Sequence, residues 1–411
     1  MTARGTQPTP TTVEAISGGV TAPAGFRAAG VSAGIKANRK LDLALLVSDR
    51  PAVAAAVFTT SRAQAAPVLV SREHLERSGG TARAVVANSG CANACTGEAG
   101  MDVARGMASE TARLLGCRAD DVLVASTGVI GVDLSLDRIR AALPDAVAGL
   151  GTDQGAQAAV AIMTTDPFPK EAAVRLSIDG REVRIGGMAK GSGMIEPMMA
   201  TMLGFVTTDA AVARPLLDRA LRDVVDQTFN AITVDGECST NDCVLLLANG
   251  ASGVTIDESH YDTFAHALET VCLRLALGIV RGGEGATKLI TVSVTGARSP
   301  LEARKAAKAI ANSLLVKTAI HGGDPNWGRL VAVAGRAGVD FHLSRAAVTI
   351  GSIVLFKDGR PFDEAAPEAA TYLRNDDIQL TVELGAGTAS STVWTCDLSA
   401  EYVRINAEYR T

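Results

Sequence analysis

Aromatic side chains are scarce in this chain of 411 residues, which has two Trp, four Tyr and nine Phe. Platforms for stacking bases are therefore not supplied, and any core must be packed by small aliphatic side chains. Charge of one sign is scarce in any one place: 39 Lys and Arg stand against 44 Asp and Glu, and no five like charges run together. That excludes the electrostatic footprint of a nucleic-acid or anionic-membrane binder. No stretch approaches the ~18 consecutive apolar residues of a spanning helix, and the first twenty residues lack the apolar centre of a secretory leader. The seven cysteines, at 91, 95, 117, 238, 243, 272 and 396, are an odd number in a long chain. They read as reduced intracellular thiols rather than a disulfide framework, and a cytoplasmic location is expected.

What is present is a globular composition, 47% hydrophobic with 41 Gly and 14 Pro, long enough for two domains or one large layered one. Residues 1–17 are Thr- and Pro-rich and read as a loose tail. From Leu41 to Val70 the runs LALLV, AVAAAVF and APVLV predict buried strands bounded by turns. A helix is predicted near 102–116, stopped by Gly116. Val122–Ala125 reads as a strand running into the Gly-rich turn Ser126–Gly131, a place where backbone N–H groups are exposed. Asp179-Gly180 predicts a hairpin with a type I′ turn. Helices are expected near 210–228, 257–280 and 302–312. Strand-like runs are AITV (231–234), CVLLLA, LITVSVTG, AAVTIGSIVLF, IQLTVELG and STVWTCDL. The alternation predicts a layered α/β architecture, with no repeat and no compositional boundary between halves.

Common chemistry motifs are missing. There is no P-loop, no H-E-x-x-H, no G-x-S-x-G and no dinucleotide fingerprint. Cys91 and Cys95 lack a second pair at zinc spacing, so no metal site is expected, and the five scattered His do not by themselves make a triad. The informative stretch is Lys190 to Asp209, KGSGMIEPMMATMLGFVTTD. A loop entering a core strand is its bland reading. With KGSGMIEP ahead of ATML, however, it resembles the self-cleavage motif of the ornithine acetyltransferase (glutamate N-acetyltransferase, ArgJ) family of the cyclic arginine pathway. Also similar to that family are Ala-Asn-Ser-Gly at 87–90, Ala-Asn-Ala-Cys-Thr-Gly at 92–97, Ser-Thr-Gly-Val-Ile-Gly at 126–131 and Ile-Met-Thr-Thr-Asp at 162–166. Thr-Asn-Asp at 240–242, Gly-Glu-Gly-Ala-Thr-Lys at 283–288, Asp-Pro-Asn-Trp-Gly-Arg at 324–329 and the ending 406–411 complete the series, in family order. Met198 and Cys91 depart from the residues common at their positions.

The resemblance implies a DmpA/ArgJ-like fold, with β-sheets sandwiched between helical layers. It also implies a precursor cut before Thr201, at the Ala200–Thr201 bond, into chains 1–200 and 201–411. Thr201 is then the nucleophile, and its freed α-amine a general base near working pH. Thr127 and Gly128 match the oxyanion hole, and Thr164, Lys190, Thr201, Glu284, Asn406 and Thr411 match substrate-binding positions. Lys190 suits an α-carboxylate and Glu284 a cationic amine such as the ornithine side chain. The implied reaction moves acetyl from N2-acetyl-L-ornithine to L-glutamate by a ping-pong route through acetyl-Thr201. It needs no nucleotide, metal or organic cofactor, and the two chains assemble as a heterotetramer of two each. Three alternatives stay open: an enzyme that also uses acetyl-CoA as donor, a paralogue with another acceptor (an antibiotic-pathway enzyme or an aminopeptidase relative), and an uncleaved amino-acid-binding regulator. Residues Ser399–Thr411 read as a short amphipathic helix docking through Tyr402, Ile405 and Tyr409.

Overall fold

Short apolar runs in this chain become strands of two large sheets and one two-stranded pair, and the amphipathic segments between them become the helices that cover the large sheets. The computed structural model describes residues 13–196 and 202–408. In the first half it places β1 (Glu14–Ile16), β2 (Phe26–Val31), β3 (Leu43–Phe58), α1 (Ala66–Arg77), β4 (Thr81–Cys91), α2 (Gly97–Leu115), β5 (Val122–Val129), α3 (Leu136–Ala148), α4 (Gly155–Ala161), β6 (Lys170–Ile178) and β7 (Arg181–Lys190). There follow β8 (Leu203–Thr208), β9 (Ala211–Val212), α5 (Arg214–Gln227), β10 (Cys243–Ala248), β11 (Thr255–Ile256) and α6 (Tyr261–Arg281). The remainder is β12 (Leu289–Ala297), α7 (Pro300–Ala311), α8 (Leu314–His321), α9 (Trp327–Arg336), β13 (Ala347–Ile350), β14 (Ile353–Lys357), β15 (Arg360–Pro361), α10 (Ala366–Tyr372), β16 (Asp377–Glu383), β17 (Ala389–Cys396) and α11 (Ala400–Glu408).

The larger sheet runs β1-β6-β7-β8-β10-β3-β4-β5, with β2 on β3, and the smaller runs β15-β14-β13-β16-β12-β17. Strand β10 shows why CVLLLA carries no polar residue. Val244, Leu246 and Ala248 enter the core shared with α5 and α6, whereas Cys243, Leu245 and Leu247 enter the core on the opposite face. A strand covered on both faces reads as a continuous apolar run. Leu289 and Cys396 of the smaller sheet join the same core as α5 and α6. The other face of that sheet, with Val292, Val294 and Val393, packs on α7 and α9. Helix α6 is long and apolar enough by composition to cross a membrane, but half of it is buried here as an internal helix.

The expected layered α/β architecture, the Asp179-Gly180 hairpin and the helices near 102–116, 210–228, 257–280 and 302–312 all form. Five expectations need correction. APVLV is the start of α1, not a strand, because Pro67 sits in the first helical turn, where its missing N–H costs nothing. Ser71 and His74 then bond the backbone of the edge strand β5, at Val124 and Val122, which closes that edge to other chains. LALLV and AVAAAVF are one strand, β3, whose register shifts between Val47 and Ala52 around exposed Asp49-Arg50-Pro51. AITV is a 3-10 turn, Phe229–Ala231, followed by one bridge from Ile232 to Trp394. Within the expected tail, residues 14–16 form β1, fixed on β6 by the two-pronged Arg175–Glu14 pair; residues 1–12 lie outside the described part. Likewise β5 continues through Thr127 to Val129, so the turn begins later than the glycines suggest.

Leu246 has no exposed surface and sits at the centre of the larger sheet. Leu246→Ala should cost about 2–5 kcal/mol of stability, from lost transfer energy plus the cavity left behind, and urea denaturation would measure it.

Candidate active site

The site starts where the parallel strands β4 and β5 end side by side, with Asn88 opposite Ser126, Ser89 opposite Thr127 and Gly90 opposite Gly128. Side chains lock these ends together. Ser126 Oγ donates to Asn88 Oδ1 at 2.6 Å, Asn88 Nδ2 donates to the Cys91 carbonyl at 2.9 Å, and Asn241 Nδ2 donates to the Ala92 and Ser126 carbonyls at 2.6 and 2.9 Å. Gly128 has φ +131°, and a Cβ there would collide with the Gly90 carbonyl carbon and the Cys91 nitrogen. Only glycine permits that approach.

A cluster of charge comes in from β7. Lys190 Nζ donates to Thr127 Oγ1 at 3.1 Å. Asp166, fully enclosed behind it, accepts from Lys170 Nζ at 2.6 Å, the Gly191 N–H at 2.8 Å and the Thr164 N–H at 3.0 Å. Burial pushes the Asp166 carboxyl up, but Lys190 and Lys170 outweigh it and hold the group at about 2. Asp166 is thus ionised at working pH, and through its hydrogen bonds it fixes the approach of residues 164 and 191 to the cavity.

After β7 the chain passes Gly191, Ser192 and Gly193. Ser192 Oγ donates to the Gly282 carbonyl at 2.6 Å, and the Glu284 N–H donates to the Ser192 carbonyl at 3.0 Å. Gly193 lies against the Glu284 carboxylate so closely that a Cβ would overlap it. The loop bearing Glu284 is anchored from below by Asp397, which accepts from the Thr287 N–H and hydroxyl, the Lys288 N–H and His321 Nδ1. Burial pushes Asp397 up, and these donors together hold it below the usual carboxylate range. Helix α11 covers this side: Asn406 Nδ2 donates to Glu284 Oε2 at 2.7 Å.

Of the residues singled out in the sequence, Thr127, Gly128, Thr164, Lys190, Glu284 and Asn406 line one cavity of about 140 Å³. Ala200, Thr201, Met198 and Thr411 lie outside the described residues, as does Tyr409 of the expected docking face. Met202, the first described residue after Thr201, also lines the cavity. The C-terminal helix docks with polar groups rather than a buried apolar stripe, since α11 has no buried residue and Tyr402 and Ile405 are half-buried. Sequence reasoning gave no role to Asp235, Asn241 or Asp242, which also line the cavity, and gave Tyr402, another lining residue, only a docking role. Asn241 and Asp242 were visible as Thr-Asn-Asp, but spacing alone did not say that they meet β4 and β8.

Asp242 is chemically unusual. Its carboxyl is fully enclosed, with hydrogen bonds from Ser239 and the Met202 backbone, and its Oδ2 has no partner. Burial, with the nearby Cys238 thiol, pushes it well above the usual carboxylate range. Among the described residues no group of three His, Cys, Asp or Glu could hold a metal ion.

The sequence profile of the ArgJ family matches residues 27–411. The chain is 53% identical over 406 residues to "Arginine biosynthesis bifunctional protein ArgJ" of Symbiobacterium thermophilum, an alignment covering 97% of this chain and all of that one. A protein of the same name from a Synechococcus species is 50% identical, with 96% and 98% covered. The crystal structure of the arginine biosynthesis bifunctional protein ArgJ of Bacillus halodurans aligns over 51% of this chain and 100% of the solved chain, at 44% identity and a TM-score of 0.50.

Asp242 makes stability depend on pH. A carboxyl whose folded pKa is raised contributes fully below its unfolded value, near 3.9, and that contribution is lost as pH rises toward the folded value. Asp242→Asn keeps the accepting oxygen and abolishes the loss. The variant's stability relative to wild type should therefore be higher at pH 7 than at pH 4.5 in denaturant titrations. An equal difference at both pH values would show that Asp242 is ionised in the fold.

Proposed function

The chain belongs to the ArgJ family, and on that premise we propose that it is a self-cleaving acetyltransferase of arginine biosynthesis. It moves acetyl from N2-acetyl-L-ornithine to L-glutamate. The observation that carries this reading is convergence: six residues spread from 127 to 406 line one cavity, and that cavity adjoins Met202, one peptide bond from Thr201.

In the precursor the Thr201 hydroxyl attacks the Ala200 carbonyl. The acyl group shifts from nitrogen to oxygen, and water hydrolyses the ester, leaving Thr201 as a new N-terminus. In the second reaction the same hydroxyl attacks the acetyl carbonyl of acetylornithine, with the free α-amine as base. The oxyanion faces the Gly128 N–H and the Thr127 hydroxyl. Lys190 donates to that hydroxyl oxygen, which leaves its hydrogen available for the oxyanion. Donors of this kind are each worth about 10²–10³ in rate. Ornithine leaves, and the amine of glutamate takes the acetyl group from Thr201. Thr164, Lys190 and Thr411 hold the α-carboxylate end, and Glu284, with Asn406 beside it, holds the side-chain ammonium.

Strand β8 pairs with β7 on one side and β10 on the other, which favours a cut that leaves chains 1–200 and 201–411 in one sheet. The full alignment of a solved ArgJ chain to 51% of this one is in keeping with separate chains of such length. The cut chains assemble as two of each and work in the cytoplasm. A second reading is favoured by the word "bifunctional" in the relatives' names: acetyl-CoA also serves as acetyl donor to glutamate.

Denaturing electrophoresis of the wild type should show two bands of similar size, and Thr201→Ala one band. After incubation with acetylornithine and no glutamate, the mass of chain 201–411 should rise by one acetyl group. An intact wild-type chain would point instead to the uncleaved regulator, and transfer without an acetylated chain would remove the ping-pong route.

The second reading is checked with acetyl-CoA and glutamate in the absence of acetylornithine. Release of free CoA that depends on glutamate is the expected result, and its absence would leave a single donor.

A further inference from the structure

Asp235 belongs to none of the motifs that drew attention in the sequence, yet four donors converge on its carboxylate. Oδ2 accepts the Met194 N–H at 2.7 Å and the Tyr402 hydroxyl at 3.2 Å; Oδ1 accepts the Ile195 N–H at 2.8 Å and the Glu237 N–H at 3.3 Å. Two of these donors belong to the stretch that leads to the Ala200–Thr201 bond. The others are its own neighbour Glu237 and the C-terminal helix.

The leading stretch is under strain. Met194 has φ +60°, a left-handed conformation that a side chain disfavours. It persists because residues 194 and 195 are held from both sides. Asp235 takes their N–H groups, while the Ile195 carbonyl accepts from the Val234 N–H at 2.7 Å and from Thr233 Oγ1 at 2.9 Å. The holding segment is itself fixed from behind, since Lys317 Nζ donates to the Val234 carbonyl at 2.8 Å. On the other side, Tyr402 and Asn406 stand one helical turn apart on α11, and their polar ends reach Asp235 and Glu284 respectively. Burial first, and the charge of Asp235 next, keep the Tyr402 phenol protonated and therefore a donor.

We propose that Asp235 is a positioning residue for both activities of the site. Through Met194 and Ile195 it sets the geometry of the segment that is cut, and through Tyr402 it seats the helix that brings Asn406 to Glu284. This rests on the cleavage reading above and goes beyond it, because one carboxylate then couples precursor processing to substrate recognition. The two arms can be separated. Tyr402→Phe removes only the helix arm, whereas Asp235→Asn presents an N–H₂ where one backbone N–H needs an acceptor and weakens both.

The test follows cleavage and acetyl transfer in the full chain. Time courses of precursor cleavage are read on denaturing gels, and KM and kcat for acetylornithine are measured on fully cut protein. Tyr402→Phe should cleave at the wild-type rate and raise KM by about 2- to 12-fold, the equivalent of one net hydrogen bond, with little change in kcat. Asp235→Asn should slow cleavage by about 10-fold or more. Adding Met194→Gly, which adopts φ +60° without strain, should restore part of the lost cleavage rate. A merely structural carboxylate would not give that rescue. Cleavage of Asp235→Asn at the wild-type rate, or no rescue in the double variant, overturns the cleavage arm. An unchanged KM in Tyr402→Phe overturns the helix arm, and remains decisive should Asp235→Asn fail to fold. A wild type that is not cut at Ala200–Thr201 removes the functional reading itself, and this inference with it.

Discussion

Strand β8 governs the site, because it begins two residues after Thr201 and is hydrogen-bonded on both sides within a buried sheet. Lys190 of β7 lies opposite Leu203 on one flank, and Cys243 of β10 lies opposite the same residue on the other. All six residues of β8 are buried. The register therefore fixes three things at once at one end of the strand: the ammonium of Lys190, the Asn241-Asp242 pair and the backbone at Met202. A slip by one residue would turn every side chain of β8 to the opposite face. Both cores of the larger sheet resist that slip, since Leu203 and Phe205 enter one and Val206 the other.

Around that fixed point, close approach of backbone to backbone replaces bulk. Gly128 admits the turn of β4 at Gly90, and Gly193 admits the Glu284 carboxylate. This is the structural meaning of a chain rich in glycine and poor in aromatic rings. The charged groups are graded by enclosure. Asp166 is ionised because two lysines compensate its burial, while at Asp242 burial outweighs Ser239, Lys190 and the Met202 backbone and pushes the carboxyl well above its usual range. Two carboxyl groups of one chemical type are thus shifted in opposite directions, as environment rather than residue type dictates.

Much of this was legible in the sequence where the signal is local. The Asp179-Gly180 turn, the Gly116 stop and the wholly apolar β10 each declare themselves through one residue type or one period. Resemblance to a family supplied the six cavity residues, whose positions from 127 to 406 no spacing rule would connect. What stayed hidden is tertiary. APVLV carries strand-like residues but is held as a helix by the contacts of Ser71 and His74 with β5. AITV has β propensity but reaches only one bridge, because its hydrogen bonds go to Ile195 and Trp394 instead of a full ladder. Asp235 gave no signal at all: an acidic residue before glycine reads as an ordinary turn, and only the fold shows which amides reach it.

The two proposed reactions share their first step, attack of one hydroxyl on a carbonyl to give an oxyanion, so one set of donors can serve both. They differ in how the carbonyl is delivered. In the precursor it is covalently tethered, and the groups suited to ornithine have nothing to recognise. In the cut enzyme it arrives on a free substrate, and Lys190, Glu284 and Asn406 must supply the orientation that the tether gave. Residues 194 and 195 are pinned to Asp235 and Glu196 is paired with Lys308, so the chain up to residue 196 keeps one position for both reactions.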